Sequence, residues 1–183
     1  QIVGEHNVAN ALMAASAVLA LGVDAATVAR GLASFAPLEH RIEPCGVVGT
    51  MACYNDSKAT NVDATLKALN SFPGKRVCVL LGGRDKMTEL DDLVAAVADT
   101  CVCAICYGEA RERFYEAFAA QQSDSLTVLQ AEHMSDAFEL AVAHKQPLDV
   151  LLLSPACASF DEFSCFEERG DTFKALVAAK NKQ

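Results

Sequence analysis

Lys58 and Lys86, together with the hydroxyls of Ser57, Thr60, Ser154 and Ser159, are the side chains of this sequence best suited to gripping an anion. They lie in three short stretches: Asn55-Asp56-Ser57-Lys58-Ala59-Thr60-Asn61, Gly82-Gly83-Arg84-Asp85-Lys86 and Ser154-Pro155-Ala156-Cys157-Ala158-Ser159-Phe160-Asp161. Each follows directly on a segment that reads as a β-strand. If those strands run parallel in one sheet, the three loops share the edge at which open α/β sheets bind ligands. A helix opening near Asn61 would point free amides and its positive end at an anion beside Thr60; alternatively Thr60 or Asn61 only caps that helix. Lys58 adds a full charge, and Asp56 can accept hydrogen bonds from a pair of ribose hydroxyls. Gly82-Gly83, without Cβ atoms, either lets backbone come close to a ligand or makes a tight turn, with Lys86 just beyond in reach of a carboxylate. Cys157 has no His that the sequence places beside it, so it reads as a packed thiol rather than a nucleophile. Asn7 and Asn10, three apart, share one helical face. Their amides can read the edge of a base, or Asn7 is an N-cap and Asn10 a surface residue.

The elements that must carry these residues follow from periodicity. Asn7 to Leu21 has apolar residues at helical spacing with Gly22 placed to end it, and Asp24 caps a second helix that runs to about Phe35, before Pro37. Arg41 to Cys45 and Val47 to Tyr54 read as two strands of a hairpin joined across Gly46. Strands at about Arg76 to Leu81, Cys101 to Tyr107, Leu126 to Leu129 and Asp149 to Leu153 then alternate with helices. Those helices are expected at about Val62 to Asn70, Glu89 to Ala98, Ala110 to Ala120 and Ser135 to His144, with a closing one from Asp171 to Lys180. The alternation predicts an α/β fold: a Rossmann-like, mainly parallel sheet with helices on both faces, preceded by a short helical pair.

Bulk properties narrow the classes. With 183 residues, 52% of them hydrophobic, the chain can build one ordinary core. A formal net charge of −9 argues against nucleic acid or an anionic membrane as partner, since both demand a basic surface. The apolar stretch from Val8 to Leu21 is too short to span a bilayer. The opening Gln1-Ile2-Val3-Gly4-Glu5-His6 has neither a basic signal region nor an initiator Met, so the sequence reads as a piece of a longer polypeptide. Most of the eight cysteines sit in apolar runs and read as buried, reduced thiols of a cytoplasmic protein. Cys101-x-Cys103-x-x-Cys106 is not expected to bind metal, because strand alternation sends Cys106 to the face opposite the other two.

The motifs taken together resemble the Mur ligases, the ATP-dependent amide ligases of bacterial cell-wall synthesis, and within them the members that add D-glutamate. The resemblance is carried by Gly4-x-His6-Asn7-x-x-Asn10, His40-Arg41-x-Glu43, the Asn55–Asn61 segment, Gly82-Gly83-x-Asp85-Lys86, and Leu153 to Asp161 with Phe163, Phe166, Glu167, Arg169-Gly170-Asp171 and Phe173. It implies residues 1–38 as the helical tail of a central ATP-binding domain and 39–183 as the C-terminal dinucleotide-fold domain. The rest of the central domain and an N-terminal domain would lie elsewhere in the same polypeptide. No Gly-x-x-x-x-Gly-Lys-Ser/Thr phosphate loop is present; Gly74-Lys75 is followed by Arg76. The implied reaction phosphorylates the alanyl carboxylate of UDP-N-acetylmuramoyl-L-alanine with ATP and magnesium, the metal held by the central domain. The amine of D-glutamate then attacks the acyl phosphate. The implied ATP-binding residues are Asn7 and Asn10 at adenine, Arg41 at the ribose or phosphates, Asp56 at the ribose hydroxyls and Lys58 near the phosphates, with Lys58 catalytic. Thr60, Lys86, Ser159, Phe160 and Phe166 would hold D-glutamate, although an aliphatic residue is expected where Phe160 stands. The piece alone would be inactive. The alternatives are a sibling ligase with another amino acid, or a free-standing module that binds a nucleotide or amino acid and does no chemistry.

Overall fold

The computed structural model describes residues 5–35 and 38–181. Gly4 and Pro37, singled out in the sequence, lie outside them. Helices α1 (Glu5–Ala20) and α2 (Ala25–Ser34) pack together at the front, separated by Gly22 in a left-handed conformation at φ +88°. Asp24 caps α2 as expected, its Oδ1 accepting from the Thr27 amide at 2.9 Å. No residue of α2 is buried, and Leu12, Met13, Leu32 and Phe35 all stand exposed.

Strands β1 (Glu43–Val48) and β2 (Met51–Asn55) form the expected hairpin, but its turn is not at Gly46. The chain reverses at Gly49-Thr50, where Gly49 takes φ +61°, while Gly46 sits inside β1 at the register shift, at φ +135°. A glycine in the middle of a strand pattern marks a bulge as readily as a turn, and here a Cβ would meet Val177 at 2.9 Å.

The remaining elements are α3 (Val62–Leu69), β3 (Val77–Gly82), α4 (Asp91–Thr100), β4 (Cys101–Tyr107), α5 (Arg111–Ala119), β5 (Thr127–Gln130), α6 (Met134–Val142), β6 (Val150–Ala156) and α7 (Phe166–Lys180). One sheet of order β1-β2-β6-β3-β4-β5 holds all the strands, and every pairing except β1 with β2 is parallel. The central strands are apolar on both sides. Val77, Val79, Leu81, Val150 and Leu152 pack with Leu69, Leu93 and Phe114 on one face. Cys78, Leu80, Leu151 and Leu153 pack with Phe138, Phe173 and Val177 on the other. That double burial is what a parallel sheet covered by crossover helices requires.

Three expectations shift. Helix α7 starts at Phe166, five residues before the expected Asp171, and so takes in Glu167, Arg169 and Gly170. Strand β6 runs on through Ser154, Pro155 and Ala156, so the third loop begins at Cys157. Cys101 faces the same side as Cys106, not that of Cys103, because the β3–β4 register slips between Val77 and Cys78. Six of the eight cysteines are buried and all are free thiols. No helix among the described residues is long and apolar enough to cross a membrane.

Candidate functional site

Because β2, β6 and β3 are parallel neighbours, the loops that leave them stand side by side on one rim, and the structure stitches them together. Asp56 donates its amide to the Leu153 carbonyl at 2.8 Å, and Arg84 donates its amide to the Ala158 carbonyl at 2.8 Å. Lys86 reaches across from the β3 loop to the β2 loop, its Nζ donating to the Thr60 carbonyl at 2.8 Å. Two of the residues expected to bind an acidic amino acid are thus in direct contact, although 26 positions apart. Lys58 Nζ lies 3.8 Å above the centre of the Phe166 ring, a cation–π contact at the first residue of α7.

Ser159 completes the group from the β6 loop. Its side-chain oxygen is buried and has no hydrogen-bond partner among the described residues. Such a hydroxyl points to a further polar group at this place, since a buried donor without a partner is costly. Phe160, next in sequence, is 61% exposed. Asn61 does cap α3, accepting from the Ala64 amide at 2.9 Å, so of the two readings of that segment the cap is realised at Asn61 and Thr60 is left at the rim.

The glycines Gly82 and Gly83 do allow a close approach, but to protein backbone. A Cβ on Gly82 would lie 2.0 Å from the Tyr107 carbonyl oxygen, and one on Gly83 2.3 Å from that of Ala158. Nearer β4 and β5, the chain's own carboxylates fill the places an anion would take. Asp161 accepts from the Glu109 amide at 3.1 Å, and Glu162 from the Met134 amide that opens α6 at 3.2 Å. Burial raises the Glu162 carboxyl above its usual range. The ground left open for an outside anion is therefore the β2–β6–β3 stretch.

A second grouping sits between the helical pair and the connector that precedes β1. Asn7, Asn10 and Arg41 line one cavity of about 340 Å³, with Leu32, Phe35 and Leu38 as its apolar wall. Flat apolar surface beside amide and guanidinium groups suits a heteroaromatic ring with an anionic tail. The backbone turns into this region through left-handed conformations at His40 (φ 61°) and Ile42 (φ 44°).

Asp56 lies between the two groupings, 5% exposed. Its Oδ1 accepts from the Ile42 amide at 3.2 Å and its Oδ2 from the Ser154 hydroxyl at 2.7 Å. In the ionised form each oxygen retains a second lone pair. Burial, opposed by those two hydrogen bonds and by Arg41 and Arg169, pushes the carboxyl up to about 7. The folded protein therefore holds a proton that the unfolded chain gives up near 3.8, and stability is lost as pH rises between those values. Holding that proton against a tenfold fall in acidity costs about 1.4 kcal/mol, so the loss from pH 4 to pH 7 is on the order of 3 kcal/mol. Urea midpoints across that range should fall in the parent protein more steeply than in Asp56→Asn; parallel slopes would show an Asp56 ionised throughout.

Residues assigned no role from the motifs alone hold this rim together. Arg169 is wholly buried; its Nε donates to Ser57 Oγ at 2.9 Å, and its Nη2 to the carbonyls of Ser57 and Cys157 at 2.9 and 3.1 Å. Ser57 Oγ in turn donates to the Phe166 carbonyl at 2.7 Å. Asn55 bonds Glu43 and contacts His40, and Gly170 lies so close that a Cβ there would stand 2.2 Å from His40 Nδ1. The available signal was Arg169-Gly170 in an otherwise helical stretch: an arginine beside a glycine that some neighbour must approach. Cys157, by contrast, behaves as a packed thiol, pushed up to about 12 by burial. Among the described residues no three His, Cys, Asp or Glu side chains converge as a metal site.

Comparison with known proteins bears on this arrangement. Residues 40–157 match the family described as Mur ligase, glutamate ligase domain. The chain is 42% identical over 174 residues to UDP-N-acetylmuramoylalanine--D-glutamate ligase of Solibacter usitatus, covering 95% of this chain and 38% of that protein. The same-named protein of Gloeobacter violaceus is also 42% identical, over 178 residues, covering 96% of this chain and 40% of its own length. The chain thus spans well under half of these relatives. Among solved structures, a Mycobacterium tuberculosis folylpolyglutamate synthase complexed with ADP superposes with a TM-score of 0.69 at 17% identity, covering 96% of this chain and 41% of that one. MurF from Acinetobacter baumannii gives 0.60 at 20% identity, covering 98% and 38%. These two likenesses establish the fold.

Proposed function

This chain belongs to the Mur ligase family, and we propose that it is the amino-acid-binding part of a cytoplasmic, ATP-dependent ligase that joins D-glutamate to UDP-N-acetylmuramoyl-L-alanine. The observation that carries the reading is the rim on which Lys86 bonds Thr60 beside the unpartnered Ser159 hydroxyl. D-glutamate is a compact dianion with one amine. A site for it needs a cation, oriented hydroxyl and amide donors, and no competing carboxylate. The β2–β6–β3 rim supplies Lys58, Lys86 and the Ser159 hydroxyl, its own Asp56 is engaged by Ile42 and Ser154 and its Asp85 by Arg113, and Asp161 and Glu162 are turned to the neighbouring helix ends. Charge-assisted hydrogen bonds of this kind contribute about 1.5–3 kcal/mol each. In this reading Thr60, Lys86, Ser159 and Phe166 hold the amino acid, and Phe160 contributes backbone alone, its ring being turned outward.

The cavity lined by Asn7, Asn10 and Arg41 supports a nucleotide site: the two amides at the base, and Arg41, Asp56 and Lys58 toward ribose and phosphates. ATP supplies the phosphoryl group that activates the alanyl carboxylate. In this reading Lys58, held over the Phe166 ring, steadies the negative charge that develops during transfer, which its cation–π contact at the rim supports. The family implies magnesium; the described residues do not fit it, since they bring no ligand set together, so no step is assigned to the metal in this chain. Residues 1–38 are read as the tail of the central domain and 39–183 as the C-terminal domain. The exposed apolar residues Val8, Leu12, Met13 and Leu32 support this division, because α1 and α2 pack on each other yet leave that surface uncovered.

The test is amide formation by the full-length protein. D-Glutamate and UDP-N-acetylmuramoyl-L-alanine together should drive release of ADP and phosphate, with one mole of D-glutamate incorporated per mole of ATP consumed. Turnover with L-lysine or a diamino acid in place of D-glutamate would move the chain to a sibling ligase. Binding of D-glutamate without any ATP consumption would leave only a binding module.

A further inference from the structure

Three nitrogens of one guanidinium straddle Lys86. Arg113, on α5, gives its Nε and Nη2 to the two carboxylate oxygens of Asp85, the second at 2.7 Å, and its Nη1 to the Thr88 carbonyl at 3.1 Å. Asp85 Oδ1 also accepts the Met87 amide at 2.8 Å, which folds the chain back around Lys86 and leaves Met87 at φ +55°. Upstream, Arg84 is tied to the β6 loop through Ala158. The backbone on both sides of Lys86 is therefore fastened, while the Lys86 side chain leaves the turn and ends on the Thr60 carbonyl.

The fastening is of a kind that can fix position. The Asp85 side chain is 11% exposed and that of Arg113 30%, so the pair is partly shielded from water. It is also bidentate, which adds direction to the attraction. The guanidinium holds the Asp85 carboxyl below the usual carboxylate range, so the contact persists through the neutral range and well into mild acid.

We infer that Arg113 is a positioning residue for the amino-acid substrate: by clamping Asp85 and Thr88 it sets the turn from which Lys86 reaches a carboxylate bound beside Thr60 and Ser159. This rests on the proposed role of Lys86 toward D-glutamate and adds the residue that places it. Arg113 acts through Asp85 and Thr88. Its planar fork is essential to the argument, because a lysine ammonium carries charge but cannot span Asp85 and Thr88 with three fixed donors.

The test compares Arg113→Gln, Arg113→Lys, Asp85→Asn and the Asp85→Asn/Arg113→Gln double variant in the full-length protein. Both Arg113 variants should raise the Michaelis constant for D-glutamate about tenfold, in line with the cost of a misplaced binding group, while that for ATP and the turnover number stay within about twofold. The double variant should be no worse than the worse single one, since both changes break one contact. Amide exchange at Met87 should quicken in each variant. A general loss of structure would instead lower turnover and ATP use together. The inference fails if Arg113→Gln leaves the D-glutamate constant within twofold of the parent, or if Arg113→Lys restores it fully. Lys86→Ala run alongside separates the two readings. Weakened D-glutamate use there with no effect at Arg113 removes this inference alone; an unchanged constant there removes the amino-acid site as well.

Discussion

Lys86→Ala in the full-length protein should raise the Michaelis constant for D-glutamate roughly 10- to 150-fold and leave that for ATP near the parent value. The range comes from losing one charge-assisted bond of about 1.5–3 kcal/mol, at a factor of ten for each 1.4 kcal/mol. Stability should barely move. Lys86 is exposed on the rim, and its side chain donates to the Thr60 carbonyl, a group that water can satisfy once the lysine is gone. Substitutions at such surface positions stay within about 0.5 kcal/mol. A change confined to the D-glutamate constant marks binding made equally in ground and transition states; a matching fall in turnover would place Lys86 at the reacting atoms instead. Lys86→Arg should recover part of the loss, since it keeps the charge but spreads it over a broad planar head in place of a compact ammonium. An unchanged D-glutamate constant in Lys86→Ala would remove this residue from the site.

The sequence could reveal the rim because the rim follows from topology. Apolar runs without alternation mark strands covered on both faces, and helices between them force parallel order; the loops after Asn55, Gly82 and Ala156 then have only one edge to occupy. What escaped was whatever depends on contacts across long separations or on a one-residue slip. Gly46 carries the same conformational licence as Gly49, and only the pairing with β2 decides which of them turns the hairpin. Cys101 changed face because the β3–β4 register slips by a residue, which no pattern within β4 records. The start of α7 was hidden because its cap is Cys165, whose sulfur accepts from the Glu168 amide, in place of the Ser, Thr, Asp or Asn that usually announces a helix. Asp56 and Lys58 were legible as residue types, whereas the proton-holding burial of Asp56 depends on Ile42 and Ser154 closing over it.

Arg169 is the extreme case of a residue whose meaning lies elsewhere in the chain, for its bonds to Ser57 cross 112 positions, and Arg169→Ala should cost about 2–4 kcal/mol of stability. Opposing terms set that figure. Removing the guanidinium relieves the desolvation of a wholly buried cation, which favours the variant. It also leaves the carbonyls of Ser57 and Cys157 buried without this donor, at about 1–3 kcal/mol each, and opens a cavity beneath Gly83. The second group prevails because the oxygens that Arg169 serves are buried too deeply to rehydrate freely and the side chain removed is large, while three hydrogen bonds already offset part of its desolvation. The damage should also be local. With Ser57 and Cys157 released, the loops after β2 and β6 lose their common anchor, so amide exchange at Lys58 and Ala158 should quicken before that of the central strands. Arg169→Lys should fall between the parent and Arg169→Ala, since one ammonium can still donate to Ser57 but cannot reach Cys157 in the same plane. Urea unfolding of the three forms gives the order directly. An Arg169→Ala variant as stable as the parent would mean that the three loops are held in register without it, and that the rim owes its shape to the sheet alone.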